Sequence, residues 1–346
     1  MERHANTKSR TMVKKISGIG LLIIMVLVGC RKPTVDLIGE PADTTIVYAI
    51  IDYRDTLHEI MVFKSVLRED GSYYGSTDLF PAGTTVYIEQ GGERWQAIPD
   101  TIYDSIMGLS YRVVYKAVAK LREGEPFTVR VYRNDKERAF AKPEPVGTWR
   151  VIYPSPIDTT VPVSWVTFFK GQRILFYEVP GANEYAFQII LKYEELINGQ
   201  WVPREDTVEL ADLWKPTKVS GSGQVIVDIP LNEVLGRIGG GLPVPSPNVD
   251  RRRLDRVSFL LYAIGPEFYY YRLSQRALVS SLASGQVLPQ WTNVKGGMGV
   301  VVARNSYKLL EYRLDAESLD SLACSKFTRH LKFQPSRNHP AFPYCQ

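Results

Sequence analysis

From Thr45 onward, short apolar and β-branched runs alternate with glycine, proline and asparagine. Thr45 to Asp52, Leu57 to Leu67 and Tyr111 to Val118 read as strands. Thr84 to Glu89 alternates and ends at the turn signal Gly91-Gly92. Pro126 to Tyr132 places Phe127, Val129 and Val131 on one face before Asn134-Asp135. Prolines at 143 and 145 interrupt the pattern and mark a boundary, since proline cannot join a central ladder. A second series follows: Val163 to Phe169, Arg173 to Val179, Tyr185 to Tyr193, Gln224 to Ile229, Arg256 to Ala263 and Phe268 to Leu273. Leu231, Val234, Leu235 and Ile238 have helical spacing, closed by Gly239-Gly240-Gly241. Asp315 to Leu322 predicts a short helix. Val300 to Ala303 and Lys308 to Leu314 add strands. Short strands at this spacing predict a mainly β protein of two tandem antiparallel β-sandwich domains, 45–145 and 146–285, followed by a C-terminal segment, 286–346.

The first 44 residues follow another pattern. Arg3, Lys8, Arg10, Lys14 and Lys15 make a basic start, and Ile16 to Val28 is an apolar run too short to span a bilayer comfortably. It closes on Leu27-Val28-Gly29-Cys30. Small or apolar residues before one cysteine predict a lipoprotein signal over 1–29, cleaved before a diacylated Cys30. Residues 30–44, with Pro33, Gly39 and Pro41, read as a tether between lipid and domain.

Composition changes the picture in two places. The formal charge of the 346 residues is +5, but five of 42 Lys/Arg and one of 37 Asp/Glu precede Cys30, leaving about +1. No concentrated basic surface remains, and nucleic-acid binding is not expected. Arg251-Arg252-Arg253 is flanked by Asp250 and Asp255 and reads as a solvated loop. Of three cysteines, Cys30 is committed to lipid. Cys324 and Cys345 are left as a disulfide in an oxidising compartment or as two free thiols, with the bridge favoured.

Candidate chemistry is sparse. His58 lies in a strand, and His330 and His339 sit near the two late cysteines without the paired spacing of a zinc finger. No metal or cofactor is expected. Gly296-Gly297-Met298-Gly299 lacks the Gly-Lys-Ser/Thr ending of a phosphate loop and reads as a close backbone approach. Glu194 and Glu195 are adjacent on a strand and point to opposite faces, which denies them the convergence glycoside hydrolysis requires. Residues 68–78 lack the ligand pattern of an EF-hand. In Phe268-Tyr269-Tyr270-Tyr271, strand alternation pairs Tyr269 with Tyr271 on one face. That face is either buried in a two-sided sheet or open to a partner or a sugar.

Three stretches resemble an uncharacterised family of Bacteroidetes envelope lipoproteins. Val47-Tyr48-Ala49-Ile50-Ile51-Asp52 with His58 to Leu67 is similar to its opening strand pair. Val179-Pro180-Gly181-Ala182-Asn183-Glu184-Tyr185-Ala186-Phe187-Gln188-Ile189 resembles the B-to-C connection of fibronectin type III-like modules. Trp291-Thr292-Asn293-Val294-Lys295-Gly296-Gly297-Met298-Gly299 resembles the family's Thr-Asn-x-x-x-Gly-x-Gly signature, with Val300-Val301 in place of Ile-Phe. The resemblance implies immunoglobulin/fibronectin type III-like sandwiches and an outer-membrane lipoprotein beside transport or secretion machinery. It implies no catalytic residue.

Together these readings predict a noncatalytic, lipid-anchored outer-membrane protein that binds or supports an envelope partner such as a β-barrel transporter or secretion component. A surface carbohydrate- or peptide-binding lipoprotein is the alternative. Arg31 and Lys32 after the cysteine favour the periplasmic leaflet over the cell surface. Cys30→Ser is expected to move the chain from the membrane pellet to the soluble fraction, or to leave an unprocessed precursor. Each buried acyl CH₂ contributes roughly 0.8 kcal/mol to anchoring. Fractionation with a high-salt wash checks this, and a processed variant that stays in the pellet would rule out lipid as the anchor.

Overall fold

A computed structural model describes residues 44–65, 82–102, 112–166, 171–214, 217–218, 222–282 and 291–345. The predicted signal, Cys30 and all of the tether but Thr44 lie outside them. The first strands are β1 (Thr44–Asp52), β2 (Leu57–Ser65), β3 (Thr84–Gln90), β4 (Glu93–Ile102), β5 (Arg112–Val118), β6 (Thr128–Arg133) and β7 (Lys136–Ala141). Then come β8 (Val151–Tyr153), β9 (Gly171–Tyr177), β10 (Glu184–Ile197), β11 (Gln200–Trp214), β12 (Thr217–Lys218) and β13 (Gln224–Pro230). Helix α1 (Leu231–Gly241), β14 (Val249–Ile264), α2 (Pro266–Leu282), β15 (Val294–Lys295), β16 (Gly297–Tyr312) and α3 (Ala316–Cys324) complete the order.

Among the described residues, twelve strands join in one ladder, β11-β10-β14-β16-β1-β2-β5-β4-β3-β6-β7-β15, and four in another, β12-β13-β9-β8. The protein is mainly β. Strand β4 changes partner midway: Ala97 pairs Val86 of β3, and Ile98 pairs Lys116 of β5. The inward faces of β1, β2, β3, β5 and β6 meet through Ile51, Ile60, Ile88, Tyr115, Val129 and Val131, all buried. The four-stranded sheet packs on the β10–β14 part of the large one, with Phe176 and Phe187 rings 6.3 Å apart. Val179 to Asn183 carries the chain from β9 to β10, hence from one sheet to the other.

The strand order differs from the tandem arrangement predicted from the sequence. The two late runs around Val300 and Lys308 are a single 16-residue strand, β16. Its first half pairs in parallel with β1, from Thr45↔Gly297 to Asp52↔Arg304. Its second half pairs antiparallel with β14, from Ile264↔Arg304 to Val257↔Tyr312. The segment expected to follow both domains therefore lies between them, and the ladder runs through the expected 145/146 boundary. Polar Asn305 and Ser306 conceal this continuity in the sequence. Asn305 is fully buried and its Nδ2 donates to Gly147 O at 2.7 Å, while its backbone carbonyl accepts Trp149 Nε1 at 2.8 Å. Ser306 N donates to Asp52 at 3.1 Å.

Glycines make the β1–β16 approach possible. A Cβ on Gly297 would lie 2.3 Å from Thr45 O, and one on Gly299 would lie 2.1 Å from Val47 O. The close-approach reading of this glycine run therefore matches the geometry.

Three local expectations are corrected. Phe268 to Leu273 is not a strand but part of the 17-residue helix α2. Pro266 and Glu267 suit a first helical turn, and tertiary packing of the aromatics overrides their β preference. Arg251-Arg252-Arg253 is not a solvated loop but lies in β14. Arg252 is 1% exposed. Its Nη2 donates to Glu195 Oε1 at 2.8 Å, and its guanidinium lies 5.0 Å from the Tyr193 ring centroid. Burial pushes the Glu195 carboxyl up, but hydrogen bonds from Arg204 and Arg252 hold it below the usual range. Sequence composition cannot distinguish Arg252 from its solvated neighbour Arg253, which pairs with Glu194. Within the Val163 to Phe169 run, Val163 makes only an isolated bridge to Leu314, and 167–170 lie outside the described residues.

Gly299 carries φ +104°, and Gly199 carries φ +82° with open space around it. Gly299→Ala is expected to cost at least roughly 2 kcal/mol, and Gly199→Ala nearer 1 kcal/mol from backbone strain alone. Urea unfolding of the two variants checks this; equal losses would mean that the close approach to β1 contributes nothing.

Candidate ligand cleft

Alternation along β1 sends Val47, Ala49 and Ile51 inward and leaves Ile46, Tyr48 and Ile50 on the outer face of the large sheet. The parallel register sets Met298, Val300 and Val302 beside them, and the antiparallel register sets Phe63 and Met61 on the other side. An outer sheet face this apolar needs cover. Helix α2 supplies part of it. Ile264, Val300 and Val302 form a second buried cluster, packed by Tyr48, Ala186, Tyr262, Phe268, Tyr271 and Trp291.

Helical spacing, not alternation, sorts the aromatic run. Phe268 and Tyr271 stand three residues apart and face the sheet. Tyr271 meets Tyr48 edge to face at 5.9 Å, with the two hydroxyls 3.4 Å apart. Tyr270 is 49% exposed and lies 5.6 Å from the Trp291 ring. Thus Tyr271 joins the site and Tyr269 does not: Tyr269 packs against Tyr270, with ring centroids 5.7 Å apart.

The helix is fixed at its start. Glu267 is buried and accepts Glu144 N at 2.6 Å, and burial pushes its carboxyl above the usual range. One turn on, Arg272 pairs with buried Glu184.

Between α2 and the sheet lies a cleft of about 480 Å³, lined by Tyr48, Ala49, Ile50, Glu59, Met61, Phe268, Tyr271, Val300 and Val302. Its volume falls among those of small-molecule sites, and its walls are mostly apolar, as such sites are. Beyond the Glu59–Lys116–Asp100 ion pairs the same outer face carries further apolar side chains. Leu57 pairs Val118, and Lys116, paired to Glu59, also pairs Ile98. Leu57, Val118 and Ile98 are 50%, 72% and 69% exposed. Directly opposed residues share a face, so these three side chains and the cleft occupy one surface.

The other candidate residues do not join this surface. His58 is in the core, and its Nε2 donates to Ala119 O at 3.0 Å. His330 bonds the Gly239 carbonyl at 3.1 Å. Cys324 and Cys345 form a disulfide with Cα atoms 5.1 Å apart. His339 lies beside it: one ring nitrogen and the two sulfurs fall within 4.8 Å of one another. Those sulfurs are bonded to each other and His339 Nδ1 accepts Ala341 N, so this trio is not arranged to ligate a cation while the bridge is intact. Glu194 and Glu195 point to opposite faces, each engaged by arginine.

The Thr-Asn of the glycine signature is structural. Asn293 donates to Val301 O at 2.7 Å and accepts Val301 N at 3.0 Å, so its amide stands in for a strand neighbour. Thr292 Oγ1 donates to Gly299 O at 2.7 Å. The sequence contained the signal for this cleft in Tyr48, Met61 and Tyr271, but nothing in the pattern joined residues so far apart.

No family model matches the chain, and no curated protein matches it significantly. Among solved structures it is similar to the full ectodomain (Ig1–Ig3) of mouse nectin-like molecule 4, at 9% identity and a TM-score of 0.16. The alignment covers 78% of this chain and 64% of that ectodomain, so the chain spans less than two thirds of its length. A likeness this slight carries no argument.

Burial holds the His58 pKa below its ordinary 6.5, against the Ala119 carbonyl and the carboxylates of Asp55 and Asp52, which raise it. The folded chain therefore keeps His58 neutral at a pH where the unfolded chain has begun to protonate it. Its contribution is constant above pH 6.5 and is lost as pH falls from there through the folded pKa. His58→Gln keeps a donor for Ala119 but has no such slope. Urea unfolding at neutral and mildly acidic pH should show wild type losing ground to the variant in acid; a difference independent of pH would contradict this.

Proposed function

We propose that the protein is a noncatalytic lipid-anchored envelope protein that uses the outer face of its large sheet to hold a partner. The lipid is carried by Cys30 and the tether over 30–44. The partner is an outer-membrane β-barrel transport or secretion component, met from the periplasmic leaflet. The finer reading of two immunoglobulin/fibronectin type III-like sandwiches belongs to this proposal, with β16 as a strand common to both. The observation that carries the reading is the run of exposed Leu57, Val118 and Ile98 beside the cleft on one sheet face. Contiguous apolar side chains on a soluble surface favour an interaction site over bare solvent. A second reading, a carbohydrate- or peptide-binding surface, rests on the partly exposed Tyr270 beside Trp291.

Affinity purification of the lipidated protein from native membranes should recover a stoichiometric envelope protein. The double variant Ile98→Asp/Val118→Asp should lose it while keeping its strand signal in circular dichroism, because both positions are exposed. Recovery unchanged by the double variant would move the interface off this face. Recovery of nothing from wild type, with a glycan bound through Tyr270, would favour the second reading.

A further inference from the structure

We propose that the cleft between α2 and the outer sheet face binds an organic cation with an apolar body, an alkyl- or arylalkylammonium, with Glu59 as its counter-ion. This deepens the reading of that face as a binding surface and rests on it.

The floor of the cleft is aliphatic: Val300 and Val302 of β16 and Ile50 of β1. Such a floor takes a hydrocarbon body and offers a polar one no hydrogen bonds. The walls are aromatic, from Tyr48, Phe268 and Tyr271. Ring faces are negative, so an aromatic enclosure attracts a cation and repels an anion. Among the described residues that line the cleft, Glu59 alone carries a formal charge.

The cation paired with Glu59 is shared with a second carboxylate. Lys116 Nζ lies 3.7 Å from Glu59 Oε1. The same Nζ lies 2.7 Å from Asp100 Oδ2. Hydrogen bonding to Asp100 is the main cause of the raised Lys116 pKa. Two carboxylates thus share one ammonium, and the closer one is outside the cleft. Glu59, Asp100 and Lys116 together carry a net negative charge beside the cleft. An ammonium seated there would meet Glu59 at one end and aromatic rings along its sides, with its hydrocarbon on the valines. A carboxylate of the same shape would meet Glu59 and the ring faces, both repulsive. A neutral alcohol would gain the apolar contacts without the ion pair.

That ordering is the test. Three probes share a phenylalkyl body and differ in charge: phenethylammonium, 2-phenylethanol and 3-phenylpropanoate. Each is titrated calorimetrically into the intact lipidated chain in nonionic detergent. Phenethylammonium should bind at least about tenfold more tightly than the alcohol, and the carboxylate should give no heat beyond dilution. Glu59→Gln should bring the ammonium down to the level of the alcohol and leave the alcohol unchanged. Met61→Trp, which fills the cleft, should remove both.

Equal affinity for ammonium and alcohol, or ammonium binding indifferent to Glu59→Gln, would overturn the cation while leaving the cleft a binding site. Binding that survives Met61→Trp would place the ligand elsewhere and overturn the proposal. No binding by any probe to wild type would overturn it too. None of these results bears on recovery of the membrane partner, which is read through Ile98 and Val118.

Discussion

The parallel pairing of β1 with β16 is the constraint on which the rest of the structure depends. It joins residues about 250 positions apart and places the late strand inside the twelve-stranded ladder, between β14 and β1. Parallel neighbours require a long crossover connection. Here the connection is nearly the whole described chain. Closing it costs loop entropy that no local interaction offsets, so its stabilisation comes from the burial and backbone bonds gained at the end. Gly297 and Gly299 are the local condition for that closure, because side chains there would collide with the β1 carbonyls.

Polar groups reinforce the crossing. Asp52 ends β1 at 1% exposure and accepts Arg304 Nε at 2.7 Å as well as the Ser306 backbone. These bonds fall where β16 leaves β1 for β14. A buried carboxylate demands partners; Arg54 N supplies a local one to Asp52, and the rest come from β16 when the two strands are in register. Asn305 does the same for the Gly147–Trp149 segment on the inner side. The polar interruption that makes β16 look like two strands is therefore what holds its two halves in place.

The outer face follows from this arrangement. Once β16 lies beside β1, Val300 and Val302 stand next to Tyr48 and Ile50, and a broad apolar surface forms. Helix α2 covers one side of it, held by Glu267 and Arg272. The other side stays open from the cleft to Ile98. The aromatic and aliphatic side chains here suit adhesion to a ligand or partner. The buried histidine and the arginine-bound glutamates serve the fold.

Strand-forming runs such as Thr84 to Glu89 and Tyr185 to Tyr193, the helix after Pro230 and the helix over 316–324 were legible locally, because periodicity records which residues face a core. The close-approach role of the glycine run and the opposed faces of Glu194 and Glu195 were legible too, since both follow from backbone geometry alone. Phe268 to Leu273 misled because aromatic residues favour a sheet unless a nearby surface stabilises them as a helix, and that surface is built from strands distant in sequence. Arg252 and Arg253 are chemically identical; only the fold decides that one is enclosed by Glu195 and Tyr193 and the other is wet. The sequence by itself determined the mainly β character and most of the element list. Tertiary structure decided the strand order, the single long β16 and the cleft, because each depends on pairing between residues whose separation no local pattern encodes.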